Sequence, residues 1–444
     1  LQLTRDGAKT WSNVVANVPN LPKASWVSWV EASRHEPATA YAAFDRHTFG
    51  DLTPWVFKTA DFGKTWTRIV SPEQGVRGYA HCVKEDTVRP SLLFVGTELG
   101  LWISPDAGKT WAEFKGGDFP SVAVRDIQVH PREGDLVLAT HGRGIWIVDD
   151  LTPLRKLSAD ILASDAAFLA GRPTQQRMPA SGGWVEGDAS FVGRNPPGGA
   201  VITYYQRTRH LFGPIKLEIF DASGKLVDTL SATKHRGINR VVWPMQVKPP
   251  RVPRAATVAF AASQGPRVPP GTYTVRLTKG GKSIETKLEI GIDRRAPYTV
   301  EDRKAQFAAV MKAHALFERM SALVDRIDAA RAAAARRARA LPESDPGRRR
   351  LQETIDKLDA IKREIVATKE GGAITGEERI REHLDTVYGA LNGWEGKPAA
   401  YQVERVETLG RELADVAREF DALAAGELKA QAEAKHAGAG GRRP

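Results

Sequence analysis

The sequence predicts a mainly β chain with an α-helical C-terminus: about three blades of a partial β-propeller, a β-sandwich and an antiparallel helical bundle. Three observations predict it. The octapeptide Ser104-Pro105-Asp106-Ala107-Gly108-Lys109-Thr110-Trp111 recurs as Thr59-Ala60-Asp61-Phe62-Gly63-Lys64-Thr65-Trp66, 45 residues earlier. Short β-prone runs follow one another at turn spacing between about 200 and 290. From about 299 the apolar period changes from 2 to 3.6.

The octapeptide has the chemistry of a self-supporting turn. An Asp side chain accepts from backbone N–H groups two residues on, Gly takes positive φ, and the Trp folds back as an apolar lid. A third copy, from Thr4 to Trp11, keeps Asp6, Thr10 and Trp11 but has Ala8 where the others have Gly63 and Gly108. The runs Tyr41–Phe44, Leu93–Thr97 and Leu136–Thr140 are each followed by a loop and a second run containing Trp55, Trp102 or Trp146. A period of about 40 to 55 residues with strands between copies marks propeller blades. The third unit ends in Val148-Asp149-Asp150-Leu151-Thr152-Pro153, where another octapeptide is expected. Residues 1–152 are therefore expected to be C-terminal blades. Three blades do not close a ring, and the chain starts at Leu1 without an initiator Met. Earlier blades of the same protein are the expected partners.

The pattern Ser/Thr-x-Asp-x-Gly-x-Thr-Trp resembles the Asp box, or BNR repeat, of sialidases, sortilin-type ectodomains and related bacterial repeat proteins. The resemblance implies a four-stranded meander per blade with the box between its third and fourth strands. There Asp61, Gly63, Thr65 and Trp66, with Asp106, Gly108, Thr110 and Trp111, are structural rather than catalytic. It also implies a secreted or periplasmic protein.

A meander alternates its turns between two ends. With the boxes at one end, the loops after each second strand lie at the other, and such loops are where a scaffold holds a ligand. This end carries His47 and Asp51, Glu98, and the turn His141-Gly142-Arg143-Gly144; the interblade connections bring Asp118. Val76-Arg77 and Val124-Arg125 are expected at equivalent blade positions. The candidate face is thus His47, Asp51, Arg77, Glu98, Asp118, Arg125, His141 and Arg143. For His141, a structural turn closing the propeller is favoured over ligand or metal binding.

Composition excludes several classes. No uninterrupted apolar run approaches bilayer-spanning length. One cysteine, Cys82, lies in the strand-like run Tyr79–Val83, so no intrachain disulfide forms and a buried thiol is expected. The net charge of +11 does not indicate nucleic acid: after residue 298 about 26 basic side chains face 25 acidic ones, and the remaining excess is dispersed. Gly63-Lys64-Thr65, Gly108-Lys109-Thr110 and Gly281-Lys282-Ser283 imitate the end of a phosphate loop, but the required upstream Gly is Lys58, Ile103 or Arg276. No zinc-ligand spacing or nucleophile elbow is present, so no metal and no cofactor are expected.

Residues 153–185 read as a connector passing through Ala170-Gly171-Arg172-Pro173 and Ser181–Trp184, and 186–297 as a sandwich with six strands. The order Gly237–Trp243 then Pro270–Leu277 looks like the Ig-like module of flagellar hook-capping and bacterial secreted multidomain proteins. Pro249 to Pro270, rich in Pro, Ala and Arg, is expected as a long exposed loop. Within 298–436, stripes such as Phe307, Val310, Phe317, Met320, Val324 and Ile327 require a helical bundle. His314, which interrupts that stripe, is expected as a hydrogen-bonded core or edge histidine rather than a metal ligand. Residues 437–444 are expected as a disordered tail.

Two functions are compatible with these residues. One is a binding or scaffolding module for a peptide or glycan. The other, which the resemblance implies, is a glycoside hydrolase with catalytic residues partly in earlier blades: sialidase-like, with arginines for a carboxylate, a Tyr/Glu nucleophile and an acid Asp, or endoglucanase-like, with two carboxylates such as Asp51, Glu98 or Asp118. No acid and nucleophile pair is assignable within these blades, which favours the first.

Overall fold

The structure, a computed structural model, describes residues 1–178, 193, 195–369 and 377–428. The segment Ser181–Trp184, the pair Gly371-Gly372 expected to end a helix, and the tail at 437–444 lie outside them.

The N-terminal third is a stack of antiparallel meanders. A short pair, β1 (Gln2–Leu3) and β2 (Ser12–Asn13), precedes two four-stranded sheets. The first runs β3 (Trp26–Ala32), β4 (Ala40–Arg46), β5 (Asp51–Thr59), β6 (Thr67–Val70), each strand paired to the next. The second repeats that order in β7 (Ala80–Glu85), β8 (Leu93–Thr97), β9 (Gly100–Ser104) and β10 (Ala112–Glu113). A third stops at three strands: β11 (Val124–Val129), β12 (Leu136–Thr140) and β13 (Ile145–Val148).

The middle sheet is covered on both faces, which is why β7 and β8 are buried throughout. Alternation sends Val83, Leu93 and Val95 toward the first sheet, against Tyr41 and Val56, and Phe94 and Leu101 toward the third, against Val124 and Leu138. Cys82 belongs to the second of these layers and burial pushes its thiol up to about 12.

The box copies fill the turns β1–β2, β5–β6 and β9–β10. Their Asp reaches further than two residues: Asp61 Oδ1 accepts from Thr65 N at 2.8 Å and Asp106 Oδ1 from Thr110 N at 2.9 Å, while each Thr hydroxyl donates to the second carboxylate oxygen. The geometry works because two consecutive residues are left-handed, Phe62 and Gly63 at φ 59° and 76°, Ala107 and Gly108 at 61° and 88°. In the first copy Gly7 and Ala8 take 70° and 68°, so the glycine has moved one position without loss of the turn. Trp66 is buried and Trp111 donates its indole N–H to the Ile69 carbonyl, but Trp11 remains 57% exposed.

After β13, the helix α1 (Thr152–Lys156) folds back on the second meander, and α2 (Ala159–Ala163) receives Tyr205 and Arg207 through its Leu162 and Ala163 carbonyls. Fully buried Asp86 receives a bidentate Arg155 fork at 2.8 and 3.0 Å. Arg89 donates to the carbonyls of Arg155 and Leu157.

The stretch read as a connector contributes to the sandwich. Its strands β14 (Ala166–Phe168) and β15 (Thr174–Gln176) are too short to show a period, and both find partners distant in sequence. One sheet is β14 with β16 (Ala200–Gln206) and β19 (Gly237–Trp243); the other is β15, β21 (Lys282–Ile292), β20 (Gly271–Lys279), β17 (Ile215–Phe220) and β18 (Leu226–Ser231), in that order. All six strands read from the sequence are present. Trp243, Tyr204, Leu217 and Val275 fill the space between the sheets.

The helical part comprises α3 (Val300–Arg339), α4 (Pro346–Ile365), α5 (Ile380–Gly393) and α6 (Ala400–Leu423). Thr299 and Asp302 form a reciprocal capping box at the start of α3. The stripes meet as expected in one core that includes Val310, Phe317, Leu358, Leu384, Tyr388 and Leu409. His314 bonds the Lys248 carbonyl at 3.0 Å, the edge position of the two expected for it.

The segment expected as an exposed loop from Pro249 to Pro270 is instead a strap across this bundle. Val252, Ala255, Ala259 and Ala262 pack into the helical core. Buried Arg381 holds the strap through the carbonyls of Pro253 and Thr257, each at 3.0 Å. Small apolar side chains and free carbonyls, read in sequence as a sign of solvation, suit close approach to helices equally well.

Candidate functional site

The meander end opposite the boxes is organised by a repeated defect. Each first strand carries a bulge at the same register: between Val27 and Trp29 in β3, Ala80 and Cys82 in β7, and Val124 and Asp126 in β11. The extra residues are Ser28, His81 and Arg125. A bulge re-aims its side chain out of the pleat alternation. In the first sheet this only ties strands, since Ser28 Oγ donates to the Ala80 carbonyl at 3.1 Å. In the other two it brings His81 and Arg125 together.

His81 is the hub of the cluster. Its Nε2 lies 2.8 Å from Glu98 Oε2 and its Nδ1 lies 3.2 Å from Arg125 Nη1. Arg125 also approaches the Glu98 carboxylate at 3.7 Å. The Tyr79 ring meets the His81 ring edge-on, centroids 4.8 Å apart, and stacks on His47 at the same separation. His47 is oriented by Asp45, whose carboxylate lies 2.7 Å from Nδ1, leaving Nε2 directed away from that bond. His81 and Tyr79 are buried, while the side chains of Arg125, Glu98 and His47 keep 44%, 39% and 46% of their exposure.

The electrostatics follow from this layout. Burial holds the His81 imidazole below its ordinary value; Glu98 opposes that shift and Arg125 adds to it. Burial pushes the Tyr79 phenol up, assisted by the neighbouring Glu98. Burial raises Glu98 as well, but contacts with His81, Tyr79 and Arg125 together outweigh it and the carboxyl lies below its usual range. With His81 neutral, Nε2–H donates to Glu98 and Nδ1 accepts from Arg125. The result is an exposed cation and carboxylate beside stacked rings, an arrangement able to bond polar ligand groups and to cover an apolar ring face.

Of the eight residues expected on this face, the structure brings three into the cluster: His47, Glu98 and Arg125. Arg77 is elsewhere. Register makes His81, not Arg77, the counterpart of Arg125, and Arg77 pairs with Glu113 on β10 at 3.2 Å. Asp51 serves its own loop, accepting from Trp55 Nε1, Arg46 Nε and Thr53 N at 3.0 to 3.2 Å. Burial raises the Asp51 carboxyl, and these donors outweigh it to leave it below the usual range. Asp118, His141 and Arg143 are exposed in neighbouring loops. The 141–144 turn is closed by Thr140, whose N–H and hydroxyl both donate to the Gly144 carbonyl, while His141 N donates to the Ala123 carbonyl beside β11 and Trp146 Nε1 to that of Arg143. Tyr79 and His81 escaped the sequence reading, although a histidine inside a wholly buried strand was a usable signal.

Among the described residues no group of three or more His, Cys, Asp or Glu is placed to hold a metal ion, and no helix is long and apolar enough to cross a membrane.

No family model matches the chain, and no curated protein matches it. Among solved structures it is similar to an ancestral GH74 enzyme, at 19% identity over 27% of this chain with a TM-score of 0.22. It is also similar to a Salmonella alpha-2-macroglobulin mutant, at 12% identity over 55% of this chain with a TM-score of 0.18. The chain spans 14% of the length of each.

Proposed function

We propose that this chain is part of an exported bacterial repeat protein of the sortilin-like Asp-box type, in which stacked meanders act as propeller blades and form a binding and scaffolding module. Its ligand is a peptide or glycan held at the end of the meanders opposite the boxes. The observation that carries this reading is the repeated bulge, which turns His81 and Arg125 toward Glu98 and the His47–Tyr79 stack. Arg125 offers planar donors for carboxylate or carbonyl groups, and the stacked rings offer an apolar face. The scaffolding half rests on the arginine clasps Arg155–Asp86 and Arg381–Pro253, which fix one unit against the next.

A hydrolase would need a carboxylic acid kept protonated near neutral pH. Asp51 and Glu98 both lie below the usual carboxylate range, and each is occupied by donors of its own loop or cluster. These observations weigh toward binding. Titration of the full-length protein with peptide and glycan libraries tests the reading: Arg125→Ala is expected to lower affinity at least tenfold with an unchanged melting temperature. Substrate turnover that disappears in Arg125→Ala would replace the binding module by an enzyme.

A further inference from the structure

The far end of the sandwich carries a second surface that the proposed binding face does not use. Three loops meet there. The strands show it: Ile215 pairs with Lys279, Lys216 with Ser231, and Gln206 with Gly237, so the loops 207–214, 232–236 and the turn 280–281 leave the sheets side by side. The first two are joined by a backbone bond from His210 N to the Lys234 carbonyl at 3.0 Å, and His210 Nε2 closes its own loop on the Gly213 carbonyl.

The tip of the first loop is Leu211-Phe212, 63% and 87% exposed. Neither side chain belongs to the sandwich core. The same three connections carry Arg209, Lys234, Arg236 and, at the start of β21, Lys282, all exposed, and none makes a side-chain hydrogen bond or ion pair within the described residues. Asp165, a carboxylate at this end, is already engaged by Lys279 at 3.0 Å. The β part also carries nearly all of the chain's basic excess.

We propose that this end docks on an anionic lipid surface, with Leu211 and Phe212 entering the headgroup–acyl boundary and Arg209, Lys234, Arg236 and Lys282 facing anionic headgroups. The two halves of the patch each contribute what the other lacks. Cations alone would serve any phosphate polymer, and a phosphate polymer gains nothing from an exposed leucine beside a phenylalanine. Apolar side chains at an exposed tip gain from hydrocarbon, which a bilayer supplies within reach of its own charges. The contact is peripheral and uses no spanning segment.

Co-sedimentation of the full chain with vesicles tests the docking. Binding is expected to vesicles of phosphatidylcholine with about 30% phosphatidylglycerol, where each cation near the anionic surface contributes about 1 kcal/mol, and not to phosphatidylcholine alone. Arg209→Ala, Lys234→Ala and Arg236→Ala combined should weaken it about a hundredfold, or roughly fivefold per cation. Leu211→Ser with Phe212→Ser should weaken it about tenfold or more while keeping the melting temperature, since both residues are exposed. Equal binding to neutral vesicles overturns the electrostatic half. Undiminished binding of the serine variant, or equally tight capture of soluble polyphosphate, overturns lipid docking in favour of a plain anion site.

Discussion

Arg125 and His81 hold the same register position in neighbouring meanders, each being the bulged residue of its first strand, and the guanidinium Nη1 stands 3.2 Å from the imidazole Nδ1. Repetition thus does more than multiply a sheet. One backbone irregularity, copied from unit to unit, delivers successive side chains to a common place, and substitution at that position changes the chemistry without changing the frame. Ser28 shows the same position spent on interstrand bonding.

That contact makes His81 a reporter of Arg125. Burial and Arg125 both depress the imidazole, against the pull of Glu98. Arg125→Met is expected to raise the His81 pKa, read by NMR titration of the ring protons. A depressed histidine favours folding fully above the unfolded value near 6.5, and that contribution is lost as pH falls below it, because the unfolded chain takes up the proton first. Melting temperature should therefore decline from pH 7.5 to 5.5, and His81→Gln should flatten the decline. An unchanged slope would mean that the ring titrates as if in water.

The boxes should behave as struts of unequal value. Asp106 accepts from a backbone N–H and two hydroxyls, those of Ser104 and Thr110. Asp106→Ala is expected to cost about 1 to 3 kcal/mol by denaturant unfolding, with ligand affinity unchanged. Asp6→Ala should cost less, because the lid of its turn, Trp11, is 57% exposed where Trp66 is buried. Equal losses at both positions would detach the cost from the lid. A fall in affinity with stability intact would place the boxes at the binding end.

How much of this was legible depends on whether a feature repeats. The meander strands and the box turns were readable because side-chain period and turn residues recur with them. The candidate site was half readable. His47 and Glu98 were found through loop position and Arg125 through its Val-Arg dipeptide, but a bulge leaves no mark in a period-2 pattern, so His81 and Tyr79 passed as strand filling around Cys82. Matching Val76-Arg77 to Val124-Arg125 misaligned the two meanders by four residues, since register is set by pairing to β8 and β12 and not by a shared dipeptide. β14 and β15 were missed because three residues show no period, and the strap at 249–270 because composition does not reveal what lies beneath a segment.

The left-handed residues of the boxes allow a test by glycine exchange. A Cβ on Gly108 would sit at φ 88° and 2.9 Å from Ile69 Cβ, so Gly108→Ala combines backbone strain with a clash. A loss of about 2 kcal/mol is expected by denaturant unfolding, of which roughly 1 is backbone. Ala8 already takes φ 68° in an exposed turn, and Ala8→Gly should stabilise by up to about 1 kcal/mol. Destabilisation by Ala8→Gly would show that the unfolded chain's added freedom outweighs the strain removed.

The junction of strap and bundle depends on one buried cation. Arg303, 1% exposed, donates to the Arg267 and Val268 carbonyls and to Gln306, and lies 3.7 Å from Glu395, whose carboxylate also receives Arg267 at 3.0 Å. Burial works against the guanidinium charge and Glu395 supports it. Arg303→Ala would strand the Arg267 carbonyl, leave that of Val268 with Gln176 alone, and weaken the balance around a nearly buried carboxylate, a change expected to cost about 3 to 5 kcal/mol. Lysine should not restore it, since a point charge cannot replace a planar fork serving three acceptors. In calorimetry the variant should separate the unfolding of the helical part from that of the sandwich. A single transition with a shift of only a degree or two would mean that the apolar contacts of the strap hold the junction by themselves.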